Sequence, residues 1–116
     1  MKSHSAHSAV LSLTFAVATL SFSSGAFSFN EEAAKALAKK NDCTKCHAVD
    51  KDKKGPAYKK VAAKYKGKAD GEEKVIKNMT TASKVKLTDG TEEDHKLINS
   101  KDAKEIKNLA QWILAQ

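Results

Sequence analysis

The chain of 116 residues contains no arginine: all 21 of its basic residues are lysines, set against 14 acidic residues for a net charge of +7. Bidentate recognition of phosphates and base edges favours the planar guanidinium, so the positive charge is a poor argument for nucleic-acid binding. Lysines are hydrated point charges, suited to general solubility and to steering an acidic partner over a distance. Nor is there an apolar run that would span a bilayer. Ala9 to Phe22 is apolar and rich in Ser and Ala, but it is shorter than the roughly 20 residues a span needs. Ser12, Thr14, Thr19 and Ser21 interrupt it, and no acidic residue precedes Glu31. A charged start at Lys2, a brief hydrophobic run and small residues at Ser24-Gly25-Ala26 read as a secretory signal. Residues 1–28 are assigned to this signal, with cleavage after Ala26 or after Ser28, and 29–116 to a single domain with no stable membrane association once the signal is gone.

Internal repeats are lacking, strand signals are nearly so, and fewer than about 90 residues remain for the domain. A chain of that size buries a limited core and gains from a covalent staple or cofactor. The spacing predicts four helices. Asn30 can cap a first helix to about Lys40, with Glu31 and Glu32 at its positive end and Ala34, Leu37 and Ala38 as its apolar stripe. Tyr58, Val61, Ala62 and Tyr65 fall on one face of a second helix, which Gly67 ends. Asp70 opens a third, with Glu73 as a capping-box partner and Val75, Ile76 and Met79 on its inner side. The last begins near Ser100 or Asp102, with Ile106, Leu109, Ala110, Ile113 and Leu114 as its stripe and Trp112 beside it. Thr80 to Asn99 has no clean period, apart from a turn at Asp89-Gly90. A long irregular stretch in a small domain is usually functional or mobile.

The two cysteines both lie in Cys43-Thr44-Lys45-Cys46-His47. Thiols three positions apart, with a histidine directly after the second, are the pattern for covalent haem attachment. The thiols add across the haem vinyl groups, and His47 is then held under the iron as its proximal ligand. A thioredoxin-like dithiol would need alternating strands and helices. A structural zinc site would have to draw on Cys43, Cys46, His47 and His95, and the adjacency of Cys46 and His47 suits tetrahedral zinc poorly. Export agrees with haem, since exported free thiols are liable to oxidise.

Around the motif stand Ala48-Val49-Asp50, Lys54-Gly55-Pro56-Ala57-Tyr58, Val61-Ala62-Ala63-Lys64-Tyr65 and Gly67. Leu109-Ala110-Gln111-Trp112-Ile113-Leu114 closes the chain. These segments resemble the small bacterial class I cytochromes c, and the resemblance covers nearly all of the domain. It implies an all-α class I cytochrome c fold, with first and last helices crossing and about four helices packed around one covalent haem c. It also implies that the Pro56 carbonyl accepts a hydrogen bond from His47, and that Trp112 lies near a haem propionate.

The resemblance fails on the other face of the iron. The family supplies a methionine there from a proline-flanked loop before the last helix. Here Pro56 is the only proline, and no methionine lies between Thr80 and Trp112. His95, within Glu93-Asp94-His95-Lys96-Leu97, falls close to the methionine's place. Three readings stand open. His95 can bind the iron, giving His/His ligation. Met79 can bind instead, although its spacing with Val75 and Ile76 suits core packing. Or no side chain binds, and His95 is a loop histidine beside an open site.

The function expected is a periplasmic electron-transfer monohaem cytochrome c, not an enzyme and a monomer. With two imidazoles its potential would lie below that of His/Met cytochromes. Lys45, Lys51, Lys53, Lys54 and Lys84 are candidates for steering it onto acidic-surfaced redox proteins. The alternatives are a haem protein whose His95 loop gates small-ligand binding, and the electron-accepting subunit of a periplasmic oxidoreductase. An enzyme acting at the iron would add an acid–base group near it, and the sequence offers no constellation beyond His95.

Overall fold

The structure is a computed structural model that describes residues 28–116. All of the expected signal but Ser28, with the cleavage point after Ala26, lies outside the described residues. Five helices run α1 Glu31–Lys40, α2 Cys43–Cys46, α3 Tyr58–Tyr65, α4 Gly71–Thr80 and α5 Ala103–Leu114. The helix beyond the four expected is α2, a single turn formed by the thiol motif itself. Between α4 and α5 lies an antiparallel hairpin, β1 Lys84–Lys86 and β2 Glu92–Asp94.

The amphipathic stripes meet on α5, which packs against α1, α3 and α4. Ala34, Leu37 and Ala38 of α1 are buried, as are Ile106, Leu109, Ala110, Trp112, Ile113 and Leu114 of α5. Small residues on α1 let its backbone approach α5 closely. The crossing is pinned by a two-way amide clip: the Asn30 N–H donates to Asn108 Oδ1 at 2.6 Å, and Asn108 Nδ2 donates to the Asn30 carbonyl at 2.8 Å. Asn30 also caps α1 as expected, its side-chain oxygen accepting from the Ala33 N–H at 2.9 Å. At the head of α5, Asp102 accepts from the Lys104 N–H at 2.8 Å.

Two expectations need correction. Asp70 stands at the N-terminus of α4 but makes no side-chain cap; it pairs with Lys74 at 2.7 Å, and no capping box with Glu73 forms. What shapes this corner is Gly71, where a Cβ would sit 2.1 Å from the Tyr65 carbonyl oxygen. The second correction concerns Thr80 to Asn99, which contains the hairpin. Apart from Val85, its strands are built from lysine, glutamate and aspartate, poor strand formers. They pair because the register sets opposite charges face to face, Lys84 across from Asp94 and Lys86 across from Glu92. The turn is closed by Asp89, whose Oδ1 accepts from the Thr91 N–H at 2.9 Å and its hydroxyl at 2.6 Å, and by Gly90 at φ +87°. Among the described residues no helix is long and apolar enough to cross a membrane.

Candidate functional site

The site begins where α1 ends. Asn41 closes α1, and Asp42 takes a left-handed conformation at φ 57° that turns the chain into α2. Aspartate is one of the few non-glycine residues that visit this region readily. One helical turn then carries Cys43 and Cys46 at i and i+3, on the same face. Both thiols are free and half-buried, and burial raises the Cys43 pKa above its ordinary value.

His47 leaves the turn in an extended conformation, and the loop after it folds back underneath. The Gly55 N–H donates to the Cys46 carbonyl at 2.8 Å, and the Tyr58 N–H donates to the Ala48 carbonyl at 2.9 Å. Asp52 Oδ1 accepts from the Ala57 N–H at 2.9 Å while its other oxygen pairs with Lys60, and these contacts hold its carboxyl below the ordinary range. The loop so closed sets the Pro56 carbonyl 2.6 Å from His47 Nδ1. A carbonyl only accepts, so Nδ1 carries a proton, and in the tautomer this selects it is Nε2 that offers a lone pair to a metal. Gly55 makes room for this contact: a Cβ there would lie 2.7 Å from His47 Cε1. Tyr58 stacks on the imidazole with ring centroids 5.3 Å apart, and burial pushes its hydroxyl pKa up.

His47 and the two cysteines line one wall of a cavity of about 1070 Å³, large enough for a cofactor of haem size. Val75, Met79, Ile98, Leu109 and Ile113 give it an apolar lining, and His95 also borders it. The His95 ring lies 6.1 Å from the His47 ring, centroid to centroid, at an interplanar angle of 44°. His95 Nδ1 is buried with no hydrogen-bond partner among the described residues, a state that protein interiors rarely leave unresolved. Burial, aided by the neighbouring His47, lowers the His95 pKa. Two thiols on one face, two imidazoles and an apolar cavity are a donor set that fits haem.

The remaining candidates divide. Met79 borders the cavity, but its side chain is also part of the buried core. Trp112 is buried against Tyr58, edge to face at 5.3 Å, and is not among the residues lining the cavity. Of the candidate steering lysines, Lys45, Lys54 and Lys84 border the cavity, with Lys45 paired to Asp42 and Lys84 to Asp94. Lys53 donates to the Thr44 carbonyl. Sequence reasoning missed Asn41, Asp42 and the part played by Gly55. A polar residue ending an apolar stripe directly before the motif was the only signal for the first two.

The cytochrome c family profile matches residues 31–116. The chain is 37% identical over 78 residues to a cytochrome c-551 of Pseudomonas denitrificans, covering 67% of this chain and 90% of that protein. It is 50% identical over 40 residues to a cytochrome c-551 of Allochromatium vinosum, covering 34% of this chain and 43% of that protein. Among solved structures, the class 1 cytochrome MtoD of Sideroxydans lithotrophicus ES-1 aligns with a TM-score of 0.73 at 55% identity, covering 76% of this chain and 97% of that one.

Proposed function

The chain belongs to the cytochrome c family, as a class I monohaem electron-transfer protein with covalent haem c, and on that premise we propose that it is a periplasmic carrier with His47 and His95 as its two axial ligands. Cys43 and Cys46 are its thioether attachments, and residues 1–28 its export signal. When bound, the haem supplies one-electron chemistry between ferric and ferrous iron. The protein holds the iron's surroundings still. His47 is fixed in tautomer and orientation by Pro56 and by stacking on Tyr58.

The observation that carries the reading is the 6.1 Å separation of the His47 and His95 rings. Two imidazoles on opposite sides of one metal, each at a metal–nitrogen distance of about 2.0 Å, have centroids about 6 Å apart. The burial of His95 Nδ1 without a partner supports the same reading. Met79 has its place in the core with Val75. A second imidazole in place of methionine favours the ferric state and lowers the potential relative to His/Met cytochromes. Lys45, Lys54 and Lys84 at the cavity border, with Lys51 and Lys53 close to Lys54 in the chain, would steer the protein onto acidic redox partners.

The experiment compares visible spectra of the parent protein, His95→Ala and Met79→Leu, ferric and ferrous, with and without CO. The expected parent spectrum is low-spin, indifferent to CO and without a methionine–iron band. His95→Ala should become high-spin and bind CO, and Met79→Leu should keep the parent spectrum. A low-spin His95→Ala spectrum would overturn the assignment. A parent protein that binds CO rapidly would favour the gated site instead.

A further inference from the structure

The segment His95–Asn99 is anchored in the core by Ile98 alone, and otherwise by polar ties. Leu97 is 42% exposed, and only Ile98 of this stretch is buried. Four contacts fix its path. The His95 N–H donates to the Ser83 carbonyl at 2.9 Å, and the Ile98 N–H donates to the Met79 carbonyl at 2.8 Å. Lys96 pairs with Asp42 at 2.6 Å, and the Asn99 N–H donates to Asn41 Oδ1 at 2.7 Å. Two of the four therefore end on Asn41 and Asp42, directly before the first motif cysteine.

Asn41 is the one buried polar side chain among the described residues, at 6% exposure. Both polar atoms of its amide are paired: Nδ2 donates to the Leu37 carbonyl at 2.9 Å while Oδ1 accepts from the Asn99 N–H. A buried amide costs desolvation, and this one both closes the end of α1 and bridges it to a segment 58 residues away. Asp42 carries a second tie across 54 residues. Its carboxyl is held below the ordinary range by Lys96 first and then by Lys45.

We propose that Asn41 and Asp42 are positioning residues that clasp the His95 segment shut, so that the peptide carrying the first attachment cysteine also determines how firmly the distal side is closed. The inference rests on His95 as the distal ligand. The clasp couples the two halves of the site mechanically, since Asn41 is anchored to α1 and is joined through Asp42 to Cys43. It also makes the distal side of this protein a loop that can be loosened without altering either ligand.

The test measures cyanide binding to the ferric holoprotein in Asn41→Ala, Asp42→Asn, Lys96→Gln and the Asp42→Asn/Lys96→Gln double variant. Asp42→Asn keeps a residue that tolerates the left-handed backbone and removes only the charge. Asn41→Ala, which removes both side-chain hydrogen bonds, to Leu37 and from Asn99, should bind cyanide about tenfold faster than the parent. Each ion-pair variant should be faster by about twofold, and the double variant no faster than either single one. All should keep the parent low-spin spectrum in the absence of cyanide. Ile106→Val, a core change not among the cavity-lining residues, serves as a comparison for general destabilisation, with thermal midpoints measured alongside, and should bind at the parent rate. Parent rates in the clasp variants, or an equal rise in Ile106→Val, would overturn the proposal. Should Asn41→Ala fail to accumulate as holoprotein, the three ion-pair variants decide alone. His95→Ala separates the two readings. If it stays low-spin, the ligand assignment fails; if it opens while the clasp variants bind at the parent rate, only the clasp fails.

Discussion

At the residue scale the most demanding contact is between Gly55 and His47. The motif and the Gly-Pro pair were legible in the sequence because they are local and chemically specific. The reason for glycine was not, because it lies in an approach between backbone and ring that only the folded loop creates. A Cβ at Gly55 would lie 2.7 Å from His47 Cε1, 3.1 Å from Nδ1 and 3.3 Å from the Cys46 carbonyl oxygen. The two nearest neighbours are atoms of the His47 ring and the third is the carbonyl directly before it, so the strain falls on His47 itself. Gly55→Ala should lose about 1–3 kcal/mol of stability and lengthen the bond from His47 to Pro56. Thermal unfolding reads the first effect, and NMR of the His47 ring protons the second. Unchanged ring shifts would mean that the loop, not the imidazole, gives way.

At the element scale the hairpin shows where periodicity fails as a guide. Lys84-Val85-Lys86 and Glu92-Glu93-Asp94 carry one half-buried apolar residue between them, Val85. Their pairing depends on register and on a turn. Thr88 extends that dependence by donating from its N–H to the Lys54 carbonyl at 3.1 Å and from its hydroxyl to the Lys53 carbonyl at 2.8 Å, which docks the hairpin on the proximal loop. Asp89 organises the turn, and its bonds from the Thr91 hydroxyl and N–H lower its pKa from the ordinary 3.8. A carboxyl with a depressed folded-state pKa stabilises fully above its unfolded value, and that contribution is lost as pH falls through the folded value. Asp89→Ala should therefore lower the thermal midpoint at pH 7 and converge on the parent well below pH 3.8. A constant difference across that range would show that Asp89 acts through turn shape rather than through its charge. The helices were easier to foresee, because each stripe repeats within a few residues and Asn30 and Asp102 cap locally.

At the scale of the whole molecule the cavity dominates. A space of about 1070 Å³ in a domain this small is bordered by Val75 and Met79 of α4 and by Leu109 and Ile113 of α5, side chains that also belong to the buried core. A haem bound there would add its own apolar surface to that core. The Cys43→Ser/Cys46→Ser variant, which cannot form thioethers, should lose most of its helical circular dichroism at 25 °C. A native-like spectrum would mean that the α1–α5 crossing and its Asn30–Asn108 clip suffice. The net charge of +7, carried entirely by lysines on the basic side, acts at the same scale. Electron transfer to an acidic redox protein should slow steadily as ionic strength rises, because surface charges separated by more than about 10 Å are screened at 0.1 M salt. Stopped-flow rates that ignore salt would remove the lysines from partner recognition.

The sequence by itself determined whatever is carried by neighbours in the chain. Two thiols share one helical turn with a histidine directly after it, and the amphipathic stripes name the core. These interactions span a few bonds or a few helical turns, so residue type and spacing are enough to read them. Only the tertiary structure brought His95 to within 6.1 Å of His47, set Asn41 beneath Asn99, and made a hairpin from a stretch with no period. Those contacts join segments remote along the chain. Their geometry depends on how the helices cross and where the loops between them are forced to run, which no local pattern encodes.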